Sequence, residues 1–541
     1  MDLTPVTSRS GDRFAMPSKV APFLKRFARE EDGVIVAFSV YFMLMILFVG
    51  AVGVDVMRYE SQRSRLQHVL DQAVLAAADL DQRSPPAEVV ADYFAKSGLT
   101  NAELLTTVVN EGLNFREVSA TAREIVPTQI SHMLGINQMM APAASAAEER
   151  VDSVEISMVL DVSGSMNGSR LNNLRPAARD FVDTVLALSD AEDVSISIVP
   201  YATQVAAGEE LLNQFRTHDS HDYSSCINFE DNDFDTTAMS PLANGSQSYE
   251  QTAHFDKFTY SVDTSSEGLR DTQGSLPVCS NRPSSEILPL SNNVNALHGQ
   301  INALAANGNT SADLGIKWGA ALLDPSLQPV VNNLIASNTV DNAFAGRPLD
   351  YTDPNSIKVL VVMTDGQNTN QYMLRDPYRS GNSDVYYNAG TNRFAVRYNN
   401  RYYEQSWSGN SQIRSNNWSW SLGGGYSRLS NQDLFAKVSQ AWIAHYIYGG
   451  INGNAWNTWY NGPDTSVSGW TKDSRMQDIC SAAKNQGIVI YTIGFQAPTH
   501  GSDELRQCAS SPSHFFDVAG LDIGEAFSAI AQSISQLKLI Q

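Results

Sequence analysis

The chain has 541 residues, of which 43% are hydrophobic and 18% charged, and its formal net charge is −21. This composition is typical of folded globular proteins and excludes a largely disordered chain, and the length allows more than one domain. The negative charge argues against nonspecific binding to nucleic acid, which depends on clustered Lys and Arg.

An uncharged stretch of 22 residues lies near the N-terminus, from Gly33 to Val54 ("GVIVAFSVYFMLMILFVGAVGV"). A helix of this length rises about 33 Å, close to the thickness of the hydrocarbon core of a bilayer. A cleaved signal peptide usually has a shorter apolar region of about 7–15 residues. We therefore predict a transmembrane helix at residues 33–54 rather than a signal peptide or a buried core helix.

The charges that flank this stretch predict its orientation. Residues 1–32 contain six Lys or Arg, whereas the 20 residues after the stretch contain three. The positive-inside rule then places residues 1–32 in the cytoplasm as a tail and the bulk of the chain on the outer side, in a single-pass topology.

The segment that follows the apolar stretch continues the helical pattern. Apolar residues recur at helical spacing as far as Leu80, and Pro85 and Pro86 interrupt the pattern and open a second helix that ends near Lys96. Extended segments follow, with a short apolar helix near "SHMLGI". We expect residues 55–150 to form a helical stalk with a small pilin-like sheet, and a plain membrane stalk is the alternative.

From residue 154 onward, apolar strands alternate with amphipathic helices. The strands are "VEISMVL", "VSISIVPYA", "SSEILPLS", "SIKVLVVMT" and "GIVIYTIGF", and the last helix is "IGEAFSAIAQSISQL". Strands that are apolar on both sides belong to sheets covered by helices on both faces. Residues 151–541 are therefore predicted to be an α/β domain with a mainly parallel, doubly wound sheet.

Two stretches, residues 204–283 and 367–473, do not fit this alternation and are predicted to be insertions. The first is rich in Ser, Asp, Asn and Thr. The second contains seven of the eight tryptophans: Trp407, Trp418, Trp420, Trp442, Trp456, Trp459 and Trp470. These rings have two interpretations, a binding surface for sugar or protein and a small core of the insertion itself.

Oxygen-bearing side chains follow three of the predicted elements. Asp161, Ser163 and Ser165 come at the end of the first strand ("DVSGS"), Thr310 lies in a Gly-flanked turn before a helix, and Asp365 follows "KVLVVMT" directly. The carboxyl ends of parallel strands meet at one edge of a sheet, where binding sites form. Few carboxylates with several hydroxyls, and no His or Cys, favour Mg²⁺, with Mn²⁺ as the alternative.

This order of residues, DxSxS with a later Thr and an Asp after a strand, resembles the von Willebrand factor A domain with its metal-ion-dependent adhesion site. The resemblance implies that Ser163, Ser165 and Thr310 contact the metal, and that Asp161 and Asp365 act directly or through water. It also implies an open coordination position that accepts a carboxylate from a protein partner.

Two other segments resemble the TadG family of Flp/Tad pilus-assembly proteins: "FLKRFAREEDGVIVAFSVYF" with the following helix through "LDQAVLAAA", and the C-terminal part from "CSAAKNQGIVIYTIGF" onward. The resemblance covers residues 22–82 and the core of the α/β domain. It implies a location in the bacterial inner membrane and pilus components as partners. Pilin-type members carry Glu five residues after the processing glycine, where this chain has Phe38, so we expect the anchor to remain attached.

The four cysteines, Cys226, Cys279, Cys480 and Cys508, all lie on the predicted outer side, where disulfides form. Four cysteines allow three pairings. We favour Cys226–Cys279 and Cys480–Cys508 because the members of each pair lie in the same region of the chain.

Sequence signatures of catalysis are missing: there is no Ser–His–Asp order, no nucleophile elbow and no phosphate-binding G-x-x-x-x-G-K-[ST] loop. We therefore expect a non-enzymatic protein of Flp/Tad pilus assembly that binds a protein partner through a metal. Two alternatives remain: a surface adhesin that binds glycan or matrix through the aromatic insertion, and a chaperone-type A domain that assists an ATPase.

Overall fold

The computed structural model describes residues 32–79, 82, 84–111, 115–150, 153–187, 193–263, 265, 267–272, 274–353 and 356–536. Residues 1–31 of the predicted cytoplasmic tail lie outside this part of the chain. The chain divides into two compact units. The N-terminal unit comprises the described residues within 1–110 and 117–148, and the C-terminal unit comprises those within 111–116 and 149–541.

The N-terminal unit combines two helices with a three-stranded sheet. Its elements are α1 (Asp32–Ala78), α2 (Pro86–Lys96), β1 (Ala102–Glu111), β2 (Phe115–Pro127) and β3 (Gln138–Arg150). The sheet order is β1-β2-β3. Apolar side chains of α1 from Leu66 onward pack with Val90 of α2 and Val118 of β2 in one core. The segment before the α/β domain thus forms the third strand of this sheet.

Helix α1 carries the predicted membrane span. Among the residues that the structure describes, it is the one helix long and apolar enough to cross a bilayer. The other described residues bury none of its apolar window, and Ile46, for example, is 69% exposed. A long helix with an uncovered apolar half and a packed polar half matches the composition of a membrane anchor.

The C-terminal unit contains the remaining strands and helices. The strands are β4 (Ser153–Asp161), β5 (Val194–Tyr201), β6 (Thr217–His218), β7 (Ile227–Asn228), β8 (Tyr249–Gln251), β9 (Leu288–Ser291), β10 (Ser356–Thr364), β11 (Gln371–Leu374), β12 (Asn382–Asn388), β13 (Arg393–Tyr398), β14 (Arg401–Glu404), β15 (Trp418–Ser419), β16 (Ser427–Ser430), β17 (Asp464–Val467), β18 (Val489–Phe495) and β19 (Phe515–Val518). The helices are α3 (Ser169–Ala187), α4 (Glu209–Leu212), α5 (Val294–Ala303), α6 (Ala312–Ala321), α7 (Gln328–Ala336), α8 (Asp376–Arg379), α9 (Asn431–Lys437), α10 (Gln440–Trp442), α11 (Ala455–Trp459), α12 (Gly469–Asn485), α13 (Thr499–Cys508) and α14 (Ile523–Gln536).

A six-stranded sheet in the order β19-β18-β10-β4-β5-β9 forms the centre of this unit. The β19–β18, β18–β10, β10–β4 and β4–β5 pairs are parallel, and β9 joins β5 in the antiparallel direction. The predicted α/β class is confirmed. The sheet is mixed, because the edge strand that the sequence predicted as one more strand of the alternation runs the opposite way.

Helices cover the sheet through two separate cores. One core contains Val159 and Leu360 with side chains of α6, α7, α12 and α13, and the other contains Met158 and Val359 with side chains of α3, α5 and α14. Because successive side chains of a strand point to opposite faces, the two cores lie on the two sides of the sheet. This double coverage explains why the strands are apolar along their whole length.

Part of the first predicted insertion packs against the second. A single core combines Phe255 and Val278 from the first insertion with Phe394, Phe435 and Trp442 from the second. The second insertion also forms the antiparallel sheet β15-β14-β13-β12-β16. Part of the aromatic content is therefore a core, as one interpretation of the sequence expected, and the core extends across both insertions.

Both cysteine pairs that the sequence favoured are bonded in the structure. Cys226 and Cys279 lie 5.9 Å apart at their Cα atoms, within the first insertion. Cys480 of α12 and Cys508 of α13 lie 5.2 Å apart and join these two helices.

A buried histidine in the first insertion predicts acid sensitivity. His254 is 2% exposed, and its Nε2 donates to the carbonyl of Leu269 at 2.7 Å. Burial lowers the pKa of His254 to about 4. Because the unfolded chain takes up a proton below pH 6.5 and the folded chain does not, we expect this group alone to reduce the free energy of unfolding by about 3 kcal/mol between pH 7 and pH 4.

Thermal unfolding at a series of pH values checks this expectation. The H254Q variant keeps a donor for Leu269 but takes up no proton, so its stability should fall less steeply below pH 6.5. H218Q, which changes an exposed histidine, is the matched control and should retain the slope of the unmodified chain. Identical slopes for H254Q and the unmodified chain would contradict the assignment.

Candidate metal centre

The predicted oxygen donors gather at the carboxyl edge of the central sheet. Asp161 is the last residue of β4, and Asp365 follows Thr364, the last residue of the neighbouring strand β10. The parallel pairing of these strands places both carboxylates at the same edge. Ser163 and Ser165 lie in the turn that leads from β4 toward α3.

Hydrogen bonds connect these side chains directly. The hydroxyls of Ser163 and Ser165 lie 3.0 Å apart, and the Ser165 hydroxyl donates to Asp365 Oδ1 at 2.6 Å. The amide of Ser163 donates to Asp161 Oδ1 at 2.7 Å, and the Thr364 hydroxyl donates to Asp161 Oδ2 at 2.5 Å. Asp161, Ser163 and Asp365 are buried, whereas Ser165 is exposed, so the cluster opens to solvent at Ser165.

Thr310 reaches the same cluster from the loop before α6. Its Oγ1 and the Oγ of Ser165 each lie 3.9 Å from the position that a Cβ on Gly366 would take. The Thr369 amide donates to the Thr310 carbonyl at 3.1 Å, and the Thr310 amide donates to the Thr369 hydroxyl at 3.0 Å. The structure thus brings all five predicted side chains to one place.

Glycine allows the loops that carry these residues to approach closely. The Gly164 amide donates to the Gly308 carbonyl at 2.9 Å, which ties the serine turn to the Thr310 loop. Gly308 has φ +83°, and a Cβ there would lie 2.8 Å from the Thr203 hydroxyl. A side chain at residue 308 would therefore strain the backbone and push the loop away from the cluster.

The two carboxylates raise the electrostatic energy of the cluster. Burial first, and then the negative charge of Asp365, raises the pKa of Asp161 to about 6, although hydrogen bonds from Thr364 and Ser163 oppose the shift. Buried like charges are costly unless a cation lies between or beside them. The donor set consists of carboxylate and hydroxyl oxygens, which are the ligands of Mg²⁺ and Mn²⁺. The residues therefore fit a hard divalent cation.

Two buried charges near Thr310 were not predicted from the sequence. Lys472 of α12 donates from Nζ to the Thr310 carbonyl at 2.6 Å and to the Thr369 carbonyl at 2.8 Å. Burial lowers the pKa of Lys472 to about 8, and the negative charge of Asp313 opposes the shift. Both carboxylate oxygens of Asp313 are buried and have no hydrogen-bond partner among the residues that the structure describes. Nothing in the local sequence distinguishes Lys472 from the exposed lysines.

An arginine side chain contacts the cluster through Asp365 and the backbone of Ser165. Arg170, in the first turn of α3, donates from Nη1 to Asp365 Oδ2 at 2.7 Å and to the Ser165 carbonyl at 3.1 Å. Its Nε donates to the Gln496 side chain at 3.1 Å. Arg170 therefore places a positive charge on a carboxylate that the sequence assigns to the metal.

We expect R170A to bind Mg²⁺ roughly tenfold more tightly than the unmodified chain, because a unit charge a few ångströms from a cation costs on the order of 1–4 kcal/mol. Isothermal titration calorimetry on the full chain in detergent measures the affinity. R170K keeps the charge and should change little, and R179A is the matched control, because Arg179 of α3 contacts Asn302 rather than the cluster. A lower Mg²⁺ affinity in R170A than in the unmodified chain would contradict this expectation and show that the guanidinium stabilises the metal-bound site.

Comparisons with known families give a match at the N-terminal end. Residues 33–80 match the Tad family model, described as Flp pilus-assembly TadE/G-like. The matched residues cover the predicted span, the rest of α1 and two residues beyond it. A comparison with curated proteins finds no match.

Several solved structures show distant similarity. The pilus adhesin SpaC from Lactobacillus rhamnosus GG is 12% identical, with 80% of this chain and 34% of SpaC covered and a TM-score of 0.32. The vWF domain of the type V pili tip protein Mfa5 from Porphyromonas gingivalis is 15% identical, with 71% and 96% covered and a TM-score of 0.30. The adhesive tip pilin GBS104 from Group B Streptococcus agalactiae is 13% identical, with 71% and 100% covered and a TM-score of 0.30. The chain spans about a third of SpaC, and similarities of this size assign no function.

Proposed function

We propose that this protein is a membrane-anchored, non-enzymatic component of Flp/Tad pilus assembly that binds a protein partner through a divalent cation. The observation that carries the proposal is the convergence of Asp161, Ser163, Ser165, Thr310 and Asp365 at one edge of the central sheet. The cation is Mg²⁺ or Mn²⁺, and the domain that holds it is of the von Willebrand factor A type.

The composition of the cluster supports binding rather than catalysis. Two carboxylates and three neutral hydroxyls would coordinate the cation, and because Arg170 already pairs with Asp365, the cluster does not fully neutralise a divalent cation. A cation held this way supplies a positive centre that attracts a carboxylate. The exposed side of the cluster at Ser165 gives a Glu or Asp side chain of the partner a route to that centre.

The N-terminal helix supports the membrane and pilus parts of the proposal. The Tad match and the uncovered apolar half of α1 both favour an anchor in the bacterial inner membrane. The charges flanking residues 33–54 favour a cytoplasmic N-terminus and a C-terminal unit on the outer side, the compartment in which the two disulfides would form. The partner is a pilus subunit or another assembly component with an accessible carboxylate.

Crosslinking and affinity capture from cell envelopes, with Mg²⁺ or with a chelator, test the proposal. We expect pilus components to be captured with Mg²⁺, to be lost with chelator, and to be lost from a variant that combines D161A and S163A. D517A changes an exposed carboxylate on the edge strand β19 and is the matched control. Equal capture by the double variant, together with normal pili in the same strain, would contradict metal-dependent binding.

A second candidate function is glycan or matrix adhesion, which the exposed tryptophans favour. Trp407, Trp420 and Trp470 are each more than 70% exposed, and the Arg401 guanidinium lies 4.1 Å from the ring centre of Trp418. Exposed aromatic rings are typical of ligand-binding and protein-binding surfaces. A glycan array probed with the full chain tests this function. Binding that is lost in W407A and in W420A, but is unchanged by a chelator, would favour adhesion over metal-dependent partner binding.

A further inference from the structure

The loop between β2 and β3, residues 128–137, is fixed to the long helix at one point. The carboxylate of Asp55 in α1 accepts three backbone N–H bonds, from Gln129 at 2.9 Å and from Ile130 and Ser131 at 2.8 Å each. Asp55 is 2% exposed. Three amide donors on one carboxylate hold the loop against the helix at a defined position along the helix axis.

The position of this contact along α1 coincides with the end of the apolar stretch. Asp55 directly follows Val54, the last residue of the predicted span, whereas the core of the N-terminal unit begins at Leu66, farther along the helix. The loop is therefore the part of the folded N-terminal unit nearest to the span. Residues beside the first charged group after a span lie at the level of the lipid headgroups.

The loop presents apolar side chains at this level. Met133 is 71% exposed, Leu134 58% and Ile136 47%, and Met57 on the adjacent turn of α1 is 74% exposed. No Asp, Glu, Lys or Arg occurs in the 23 residues 125–147, although the chain as a whole has a net charge of −21. An exposed, uncharged apolar loop beside a span is complementary to the bilayer interface rather than to water.

We propose that this loop inserts Met133, Leu134 and Ile136 into the outer leaflet of the bilayer that α1 spans, and so fixes the N-terminal unit on the membrane surface. The proposal rests on the membrane anchor of the proposed function and is independent of the metal centre. The partner is the lipid of the same bilayer, because Asp55 joins the loop to the helix at the end of the apolar stretch. A second copy of the chain or another protein covering the loop is the competing outcome.

Depth-dependent fluorescence quenching on the full chain in phosphatidylcholine vesicles tests this insertion. The L134C variant is labelled with an environment-sensitive dye, and the four native cysteines are paired and do not react without reductant. A nitroxide near the top of the acyl chain should quench the dye at residue 134 at least about threefold more than in V108C, whose site on β1 is also exposed. Adding D55A to L134C should release the loop and reduce the quenching toward that of V108C.

Two outcomes would overturn the insertion. Quenching of residue 134 by aqueous iodide but not by lipid nitroxide would place the loop in water, and protection from both quenchers would place it against protein. A dye in L47C, within the span, separates the two proposals. Lipid quenching at residue 47 without quenching at residue 134 refutes the loop insertion alone, whereas no lipid quenching at residue 47 refutes the anchor and the insertion together.

Discussion

Replacement of Asp365 by alanine should weaken Mg²⁺ binding by at least roughly a hundredfold, since loss even of groups that only orient metal ligands costs about 10–100-fold in affinity. Asp365 is buried, accepts the Ser165 hydroxyl and raises the pKa of Asp161 through its charge. It thus supplies about half of the negative charge of the cluster. Isothermal titration calorimetry with Mg²⁺ and Mn²⁺ on the full chain in detergent measures the loss.

The D365N variant separates the effect of the charge of Asp365 from the effect of its shape on metal affinity. D365N keeps the hydrogen-bond acceptor but removes the charge and should also lose most of the affinity. D517A on the edge strand of the same sheet should bind like the unmodified chain. Circular dichroism must show that D365A remains folded. A D365A affinity within twofold of the unmodified chain, in a folded protein, would remove this carboxylate from the site.

A buried ion pair joins two central strands of the sheet. K358M should reduce the free energy of unfolding by about 3–5 kcal/mol, because removal of one partner of a buried ion pair leaves the other charge uncompensated. Lys358 of β10 and Glu155 of β4 are register partners in the parallel sheet, and their side chains form a buried ion pair. Lys358 Nζ also donates to the Leu323 carbonyl at 2.9 Å, and Glu155 accepts the Leu349 amide at 2.9 Å.

Chemical denaturation followed by far-ultraviolet circular dichroism measures this loss. The double variant E155L/K358M removes both charges and should recover a large part of it. The exposed Arg506–Asp503 pair provides the matched control, and R506A should cost less than about 1 kcal/mol. If K358M lowers the free energy of unfolding by no more than R506A does, the buried pair contributes nothing to the stability of the sheet.

Local pattern predicted the central strands and the members of the candidate site. Parallel strands covered on both faces are apolar throughout, so the sequence shows where they begin and end. Asp161 and Asp365 stand out because each is the first carboxylate after such a strand. The turn with Ser163 and Ser165 follows directly, and the glycines around Thr310 mark a loop.

The features that the sequence did not predict depend on contacts between distant residues. The direction of β9 depends on how the first insertion returns to the sheet edge, and no local signal carries that information. The common core of the insertions joins Phe255 to Trp442, which lie far apart in the chain. Lys472 and Arg170 reach the cluster from two helices, and each resembles an ordinary charged helix residue in sequence.

An anomalous difference map from crystals of the chain soaked in Mn²⁺ tests the metal centre most directly. We expect a peak at the carboxyl edge of the central sheet, within coordination distance of the Ser163 and Ser165 hydroxyls and beside Thr310, Asp161 and Asp365. Absence of a peak there at saturating Mn²⁺, or strong peaks only at other carboxylates, would contradict a metal centre at these residues.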